Sequence, residues 1–236
     1  MTRQANQSIT IPGRFNGPAA SGNGGYVCGA VGSLVDGVAE VTLRSPPPLE
    51  TPMQVARGDD GSVEVVDGNT LVATARHVIF EAPEMPEAPS WDEAEAASQN
   101  YLGHRRHEFP TCFACGPERD DGLRIFPGPT TSALVASPWQ PDASLPNDNG
   151  VLTAPIVWAA LDCPGAWADA RDLIEDPVVL GRMTALVTAP IQVGRRYVVT
   201  ARKLDDDGRK SFAATVLTDD AGVTVATARQ TWISLT

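Results

Sequence analysis

Asp162 is the residue whose setting best suits acid–base chemistry, because it is the one carboxylate in an otherwise apolar stretch, residues 153–167. Apolar side chains recur there at helical spacing on nearly every side. This pattern predicts a buried helix with Thr153 as its cap and Pro155 in its first turn. Burial pushes the pKa of a carboxylate upward, toward working pH, where it can accept a proton from water. The alternative is a solvent-facing Asp beside a kink.

Pro164 is expected to disturb this helix, since it cannot donate a hydrogen bond to the carbonyl of Ala160. We therefore expect the helix to kink or end near Asp162, which places the carboxylate at the negative end of a helix dipole. No Lys, Arg or His lies three or four residues away to offset that placement.

Gly24 and Gly25 begin a second predicted helix, for which Asn23 is a plausible N-cap. Free N–H groups at a helix start can hold a developing oxyanion, and glycine lets a substrate approach closely. The alternative is a tight loop into a closely packed helix. Glycines weaken a helix by up to about 1 kcal/mol each, which is tolerable if another element packs very closely against it. Asn23 could instead hydrogen-bond a substrate.

Histidine and cysteine pairs supply four zinc-type ligands, His104, His107, Cys112 and Cys115. The two pairs stand much closer together than in a zinc finger, so a Cys-rich turn without a metal is the favoured interpretation. Nucleophilic catalysis by Cys163 or Cys28 is less favoured, because neither has a His within reach along its own helix.

Length and charge limit the remaining classes of function. The chain has 236 residues and a formal net charge of −11, which disfavours binding to nucleic acid or to an anionic membrane. No leader-like order or membrane-spanning apolar run is present, so we expect a cytoplasmic protein with reduced thiols. An anionic small molecule could still dock at Arg195, Arg196 and Arg202, although pairing with Asp205–Asp207 explains these arginines equally well.

The order of one helix followed by antiparallel strands occurs twice, which predicts an α+β fold. Predicted strands are Val38–Leu43, Met53–Arg57, Val63–Val66 and Leu71–Ile79, then Leu180–Ala189, Tyr197–Leu204, Ser211–Leu217 and Val223–Ser234. The pentapeptide Val-Ala-Thr-Ala-Arg ends both sets, at 72–76 and 225–229. These features favour an internal duplication with units at 1–80 and 111–236. The units are joined by an acidic, proline-rich linker at 81–110, in which Ser90 and Glu93 could begin a short helix as a capping box. Gln230 and His77 follow the two pentapeptides, so the duplicated sites have diverged.

Three short motifs resemble tandem hotdog proteins of the acyl-CoA thioesterase II type. They are Gly22-Asn-Gly-Gly-Tyr-Val27, Ala159-Ala-Leu-Asp162 and Val225-Ala-Thr-Ala-Arg-Gln230. Cys112-Phe-Ala-Cys-Gly-Pro117, followed by Gly122-Leu123, resembles a segment of the phenylacetate-pathway type hotdog thioesterases. The resemblance implies a double hotdog, in which an antiparallel sheet wraps around a central helix in each unit.

The same resemblance implies an acyl-CoA thioesterase in which Asp162 activates water and Gln230 orients it. The family's third catalytic position is a Thr or Ser, for which Thr184 is the nearest match. The acyl group would occupy an apolar tunnel, and the late arginines would meet the phosphates of coenzyme A, with no other cofactor and no metal. The alternative is a non-catalytic module that binds acyl thioesters or a hydrophobic ligand, and hydration of enoyl thioesters ranks last. A homodimer is plausible.

Overall fold

A computed structural model describes residues 7–168 and 176–236 of the chain. Within these residues the three α-helices are α1 (Gly24–Gly32), α2 (Trp91–Ser98) and α3 (Ala154–Trp167). The strands are β1 (Gln7–Ile9), β2 (Ala39–Leu43), β3 (Met53–Arg57), β4 (Val63–Asp67), β5 (Thr70–His77), β6 (Gly128–Pro129), β7 (Val135–Trp139), β8 (Asn147–Asp148), β9 (Val151–Leu152), β10 (Val178–Val187), β11 (Tyr197–Asp207), β12 (Lys210–Asp219) and β13 (Thr224–Ser234). The eight predicted strands are confirmed, with ends that differ by a few residues.

Eleven of these strands form one antiparallel sheet, in the order β1-β3-β4-β5-β2-β10-β13-β12-β11-β7-β6. The two halves of the chain meet at the pairing of β2 with β10, where Val41 lies opposite Met183. Outward from this centre, the strand order is β2-β5-β4-β3 on one side and β10-β13-β12-β11 on the other. Both sides therefore follow the same path through the sheet, and β5 and β13, which carry the repeated pentapeptide, hold matching places.

Helices α1 and α3 pack on one face of this sheet and form the main core with it. Val27, Val31, Ile156, Leu161 and Met183 are all fully buried there. Burial of each side chain of this size contributes about 1.5–3 kcal/mol, so the contact of both helices with the sheet stabilises the fold substantially. The position of the two helices then decides which polar groups face each other.

Helix α2 packs on the opposite face of the sheet, where its alanines form a separate small cluster with Ala136 and Val198. It begins at a capping box in which the hydroxyl of Ser90 accepts the N–H of Glu93 and the carboxylate of Glu93 accepts the N–H of Ser90. The segment predicted as a linker, 81–110, thus contains a helix that contacts the sheet. None of the three described helices is long and apolar enough to cross a membrane.

Helix α3 continues through Pro164 to Trp167. It therefore does not end near Asp162, which was one of the two outcomes expected from Pro164. Proline removes only the hydrogen bond to the carbonyl of Ala160, and a helix that is buried along its length is held by packing on all sides. Asp162 consequently lies inside the helix.

Candidate active site

Glycines of α1 bring this helix unusually close to α3. A Cβ atom added to Gly25 would overlap the Cβ of Asp162 and lie 2.6 Å from the carbonyl oxygen of Trp158. At Gly29 it would lie 2.7 Å from the Cα of Pro155. Neither position can hold a side chain unless the helices separate, which confirms the close packing that the glycines predicted.

The close packing of α1 and α3 brings the side chain of Asp162 to the start of α1. Its Oδ2 atom accepts a hydrogen bond from the N–H of Gly25 at 2.8 Å and another from the side-chain amide of Asn23 at 3.0 Å. Asn23 also caps α1, since its Oδ1 accepts the N–H of Tyr26 at 2.9 Å. The carboxylate therefore faces the positive end of the α1 dipole, and not the negative end of its own helix, as the sequence had suggested.

The second carboxylate oxygen of Asp162 has a different environment. The side chain is 2% exposed, and Oδ1 has no hydrogen-bond partner among the described residues. Burial raises the pKa of Asp162 to about 7, while the hydrogen bonds from Gly25 and Asn23 act in the opposite direction. A buried, half-satisfied carboxylate with this pKa can gain or lose a proton near neutral pH.

The backbone N–H groups at the start of α1 differ in whether they already have an acceptor. Gly25 donates to Asp162, and the next two N–H groups donate to the side chain and the carbonyl of Asn23. Within the described chain, the N–H of Gly24 has no acceptor, and Gly24 is partly exposed. Of the two amides predicted to hold an oxyanion, only that of Gly24 is free to do so.

Gln230 lies on β13 with its side chain buried against the turn of α3 that carries Asp162. Its amide nitrogen donates to the carbonyl of Leu161 at 2.5 Å and to the hydroxyl of Thr215 at 3.0 Å. No hydrogen bond joins Gln230 to Asp162 among the described residues. No sequence motif marks Thr215. It reaches the site because β12 pairs with β13 in the register that sets Ala213 opposite Gln230, and Thr215 follows two residues later on the same face.

Thr184 does not join this group. It follows Met183 on β10, and Met183 is the residue that lies opposite Gln230. Neighbouring residues of a strand point to opposite faces of the sheet, and Thr184 lies opposite the exposed Arg229. The structure therefore places Thr184 on the face away from α3, and Thr215 supplies the hydroxyl that contacts Gln230.

The three late arginines also lie away from Asp162, each with a contact of its own. Arg195 pairs with Asp220 at 2.8 Å, and the guanidinium of Arg196 lies 4.7 Å from the ring centre of Trp91. Arg202 donates to the carbonyl of Glu84 at 2.7 Å. None of these contacts involves α1 or α3.

The cysteine-rich segment lies next to the candidate site. The structure brings Cys112 and Cys115 together, and the Nε2 of His107 lies 3.3 Å from the Sγ of Cys115. His104 packs against the rings of Tyr101 and Phe126 instead. Cys163, the residue after Asp162, completes the group from α3. Its participation could not be predicted, because nothing in the sequence relates residue 163 to the segment at 104–115.

Two cavities lie elsewhere on the molecule. One of about 1180 Å³ lies between α2 and the ends of β11 and β12, and one of about 360 Å³ lies where α3 begins, with Val157 and Ile191 in its apolar wall. Asp162 lines neither of them. The carboxylate is thus closed off from both cavities.

Three solved structures resemble the chain over nearly its whole length. A TesB protein from Mycobacterium avium subsp. paratuberculosis is 16% identical, with a TM-score of 0.61 over 96% of this chain and 91% of that one. A protein from Novosphingobium aromaticivorans, provisionally called a thioesterase, is 14% identical, with a TM-score of 0.61 over 96% and 94%. A protein of unknown function with a hotdog fold, from Alicyclobacillus acidocaldarius, is 12% identical, with a TM-score of 0.62 over 97% and 92%.

The chain therefore has a hotdog fold, as its motifs predicted. No protein-family model matches its sequence, and no curated protein is similar to it in sequence.

Proposed function

We propose that the chain is a hydrolase of acyl thioesters in which Asp162 activates water at the start of α1. The observation that carries this proposal is that the two oxygen atoms of the Asp162 carboxylate have different environments. Oδ2 is anchored by Gly25 and Asn23, whereas Oδ1 is buried and has no partner in the described part of the chain. The N–H of Gly24, which has no acceptor there either, lies at the same helix start. A thioesterase name for two proteins of the same fold supports the reaction class.

In the proposed reaction, Asp162 accepts a proton from a water molecule as the water oxygen attacks the carbonyl carbon of the thioester. The N–H of Gly24 stabilises the negative charge that forms on the carbonyl oxygen, and one such donor is typically worth about a hundred- to a thousandfold in rate. The carbon–sulfur bond then breaks. The acyl group leaves as a carboxylic acid, and the departing thiolate takes the proton from Asp162.

Gln230 acts in this proposal as a positioning residue. Its amide holds the carbonyl of Leu161, one residue before Asp162, and Thr215 fixes that amide in turn. A side chain at residue 165 would collide with Gln230, since a Cβ added to Gly165 lies 2.5 Å from its Oε1. This contact fixes the height of α3 over the sheet, and so the place of Asp162 opposite α1.

We infer that the sheet consists of two hotdog units, 1–80 and 111–236, related by an internal duplication. The matching strand order and the matching places of the two pentapeptides support this division. Gly32 stands as far from its cap Asn23 as Asp162 does from Thr153, and His77 takes the place of Gln230. The first helix therefore lacks the acid, and we expect a single active site.

Release of free thiol from a panel of acyl-CoAs tests the proposal. We expect the wild-type protein to hydrolyse at least one of them and Asp162→Asn to lose about a hundred- to ten-thousandfold in kcat, because the amide cannot accept the proton. Asp59→Asn, at an exposed carboxylate in the turn between β3 and β4, is the matched control and should keep full activity. Equal rates for the wild type and Asp162→Asn would contradict the assignment of the base.

The second candidate is a non-catalytic protein that binds acyl thioesters or another hydrophobic ligand. The observation in its favour is the closure of Asp162, which neither cavity reaches. Calorimetry with a non-hydrolysable acyl-CoA thioether separates the two candidates. Binding of the analogue without turnover of any thioester by the wild type would favour this second function.

A further inference from the structure

A group of three thiols lies buried beside Asp162. The Sγ atoms of Cys112, Cys115 and Cys163 all lie within 4.8 Å of one another, and those of Cys112 and Cys163 are 3.7 Å apart. A single buried thiol can pack as a small hydrophobic group, but three sulfur atoms that converge on one point also have the arrangement of metal ligands. We propose that these three cysteines bind a zinc ion.

The spacing of the sulfur atoms suits this ion. Zinc binds cysteine thiolates at about 2.3 Å, and tetrahedral geometry then sets sulfur atoms about 3.8 Å apart. The separation of Cys112 and Cys163 already has this value, and the remaining sulfur distances need only small side-chain rotations. Soft thiolate ligands select zinc over the hard ions magnesium and calcium.

Backbone contacts hold Cys112 and Cys115, two of the three proposed ligands, in a fixed turn. The N–H of Gly116 donates to the carbonyl of Cys112 at 2.9 Å, and the hydroxyl of Tyr101 donates to the carbonyl of Cys115 at 3.0 Å. A side chain at Gly116 would overlap the backbone of Cys112, so the turn requires glycine there. Cys163 is fixed independently by α3. A site with its ligands held in advance loses little conformational entropy when the ion binds.

His107 completes the surroundings of the sulfur atoms as a hydrogen-bond donor. Its Nδ1 accepts the N–H of Phe109 at 3.0 Å, so the proton of the neutral ring lies on Nε2, which is 3.3 Å from the Sγ of Cys115. The amide of Asn23 lies 3.8 Å from the Sγ of Cys112. Donors of this kind stabilise thiolate ligands and orient them, and their loss typically costs 10- to 100-fold in metal affinity.

Binding of the ion is a simple exchange without oxidation. Up to three S–H protons leave to solvent as three Zn–S bonds form, and the fourth position of the tetrahedron is left to a water molecule. Zinc with three thiolates carries one negative charge in total. The N–H groups of His107 and Asn23 face that charge.

Cobalt(II) titration of the reduced, metal-free protein tests the proposal, since thiolate-bound Co²⁺ gives an intense charge-transfer band and tetrahedral visible bands. We expect one equivalent of Co²⁺ to bind to the wild type and one equivalent of Zn²⁺ to displace it. Cys163→Ser should lose the charge-transfer intensity of one ligand and at least 100-fold in affinity. Cys28→Ser removes a buried thiol of α1 outside the group and should bind as the wild type does.

Melting curves of the metal-free variants identify any that are misfolded, and Cys112→Ser and Cys115→Ser provide two further tests of the ligand set. His107→Ala should still bind the ion, 10- to 100-fold more weakly. A wild-type protein that gives no thiolate spectrum, or a Cys163→Ser protein that binds as tightly as the wild type, would overturn the site. So would a disulfide among the three cysteines that persists in place of metal. These measurements do not depend on thioester hydrolysis.

Discussion

The contact between Gly25 and α3 gives the most direct test of how the candidate site is held together. Gly25→Ala adds a Cβ that overlaps Asp162 and lies 2.6 Å from the carbonyl of Trp158. Relief of such overpacking typically costs about 1–3 kcal/mol, because backbone and not a flexible side chain must move. Separation of the helices also weakens the hydrogen bond from Gly25 to the carboxylate, which is worth about 1.5–3 kcal/mol.

Helix propensity acts in the opposite direction, since alanine is favoured over glycine in a helix by up to about 1 kcal/mol. The net effect expected for Gly25→Ala is therefore a loss of about 2–4 kcal/mol in the free energy of unfolding. For a chain of this size that corresponds to a fall in Tm of roughly 4–16 °C. Because the start of α1 moves away from Asp162, thioester hydrolysis should fall together with stability.

Gly32→Ala is the matched control in the same helix. Its added Cβ would lie 3.3 Å from the ring of Trp158 and 3.4 Å from Ala39, so only a side chain must give way slightly. We expect its stability to remain within about 1 kcal/mol of the wild type. Urea and thermal unfolding of both variants provide the measurement. If Gly25→Ala proves as stable as Gly32→Ala, the close approach of α1 to Asp162 is not what holds the site.

Two further substitutions test the polar contacts of the site by urea unfolding. Thr215→Val should lower the free energy of unfolding by about 1–3 kcal/mol, since Gln230 loses a buried partner. Thr200→Val, at a buried hydroxyl with no partner among the residues the structure describes, should be neutral or stabilising; equal losses would contradict the role of Thr215. Asn23→Ser keeps a capping oxygen but cannot reach Asp162, and Asn23→Ala loses both contacts, so the Ala variant should be less stable than the Ser variant by about 1 kcal/mol. Equal stability of the two would show that the cap contributes nothing.

Local patterns were enough to predict eight of the described strands and the helices α1 and α3. Alternating apolar residues and Asp/Gly turns located the strands, and the repeated pentapeptide marked two places that prove to match in the sheet, next to the central strands β2 and β10. The cap at Asn23 and the burial of Asp162 also followed from local sequence. These features depend on neighbours within a few residues, which the sequence shows directly.

Contacts between distant segments could not be obtained in this way. Asp162, in the second half of the chain, is held by the N–H of Gly25 in the first half. Cys163 meets Cys112, which lies 51 residues earlier. Thr184 was the nearest match to the family's Thr or Ser, and Thr215 could not be recognised, because the order of residues along one strand does not reveal the register with the next. One residue of shift turns a side chain to the opposite face, and only the pairing of β10, β13 and β12 fixes that choice.

The candidate site exists only where α1 and α3 meet. A carboxylate without a cation nearby would be costly to bury, and the positive end of α1 together with the amide of Asn23 reduces that cost. The donors come from the first half of the chain and the acid from the second, so neither half contains the site by itself. Under the duplication proposed above, Gly32 and His77 stand where the second half has Asp162 and Gln230. We therefore expect a single active site, where the start of α1 meets the part of α3 that carries Asp162.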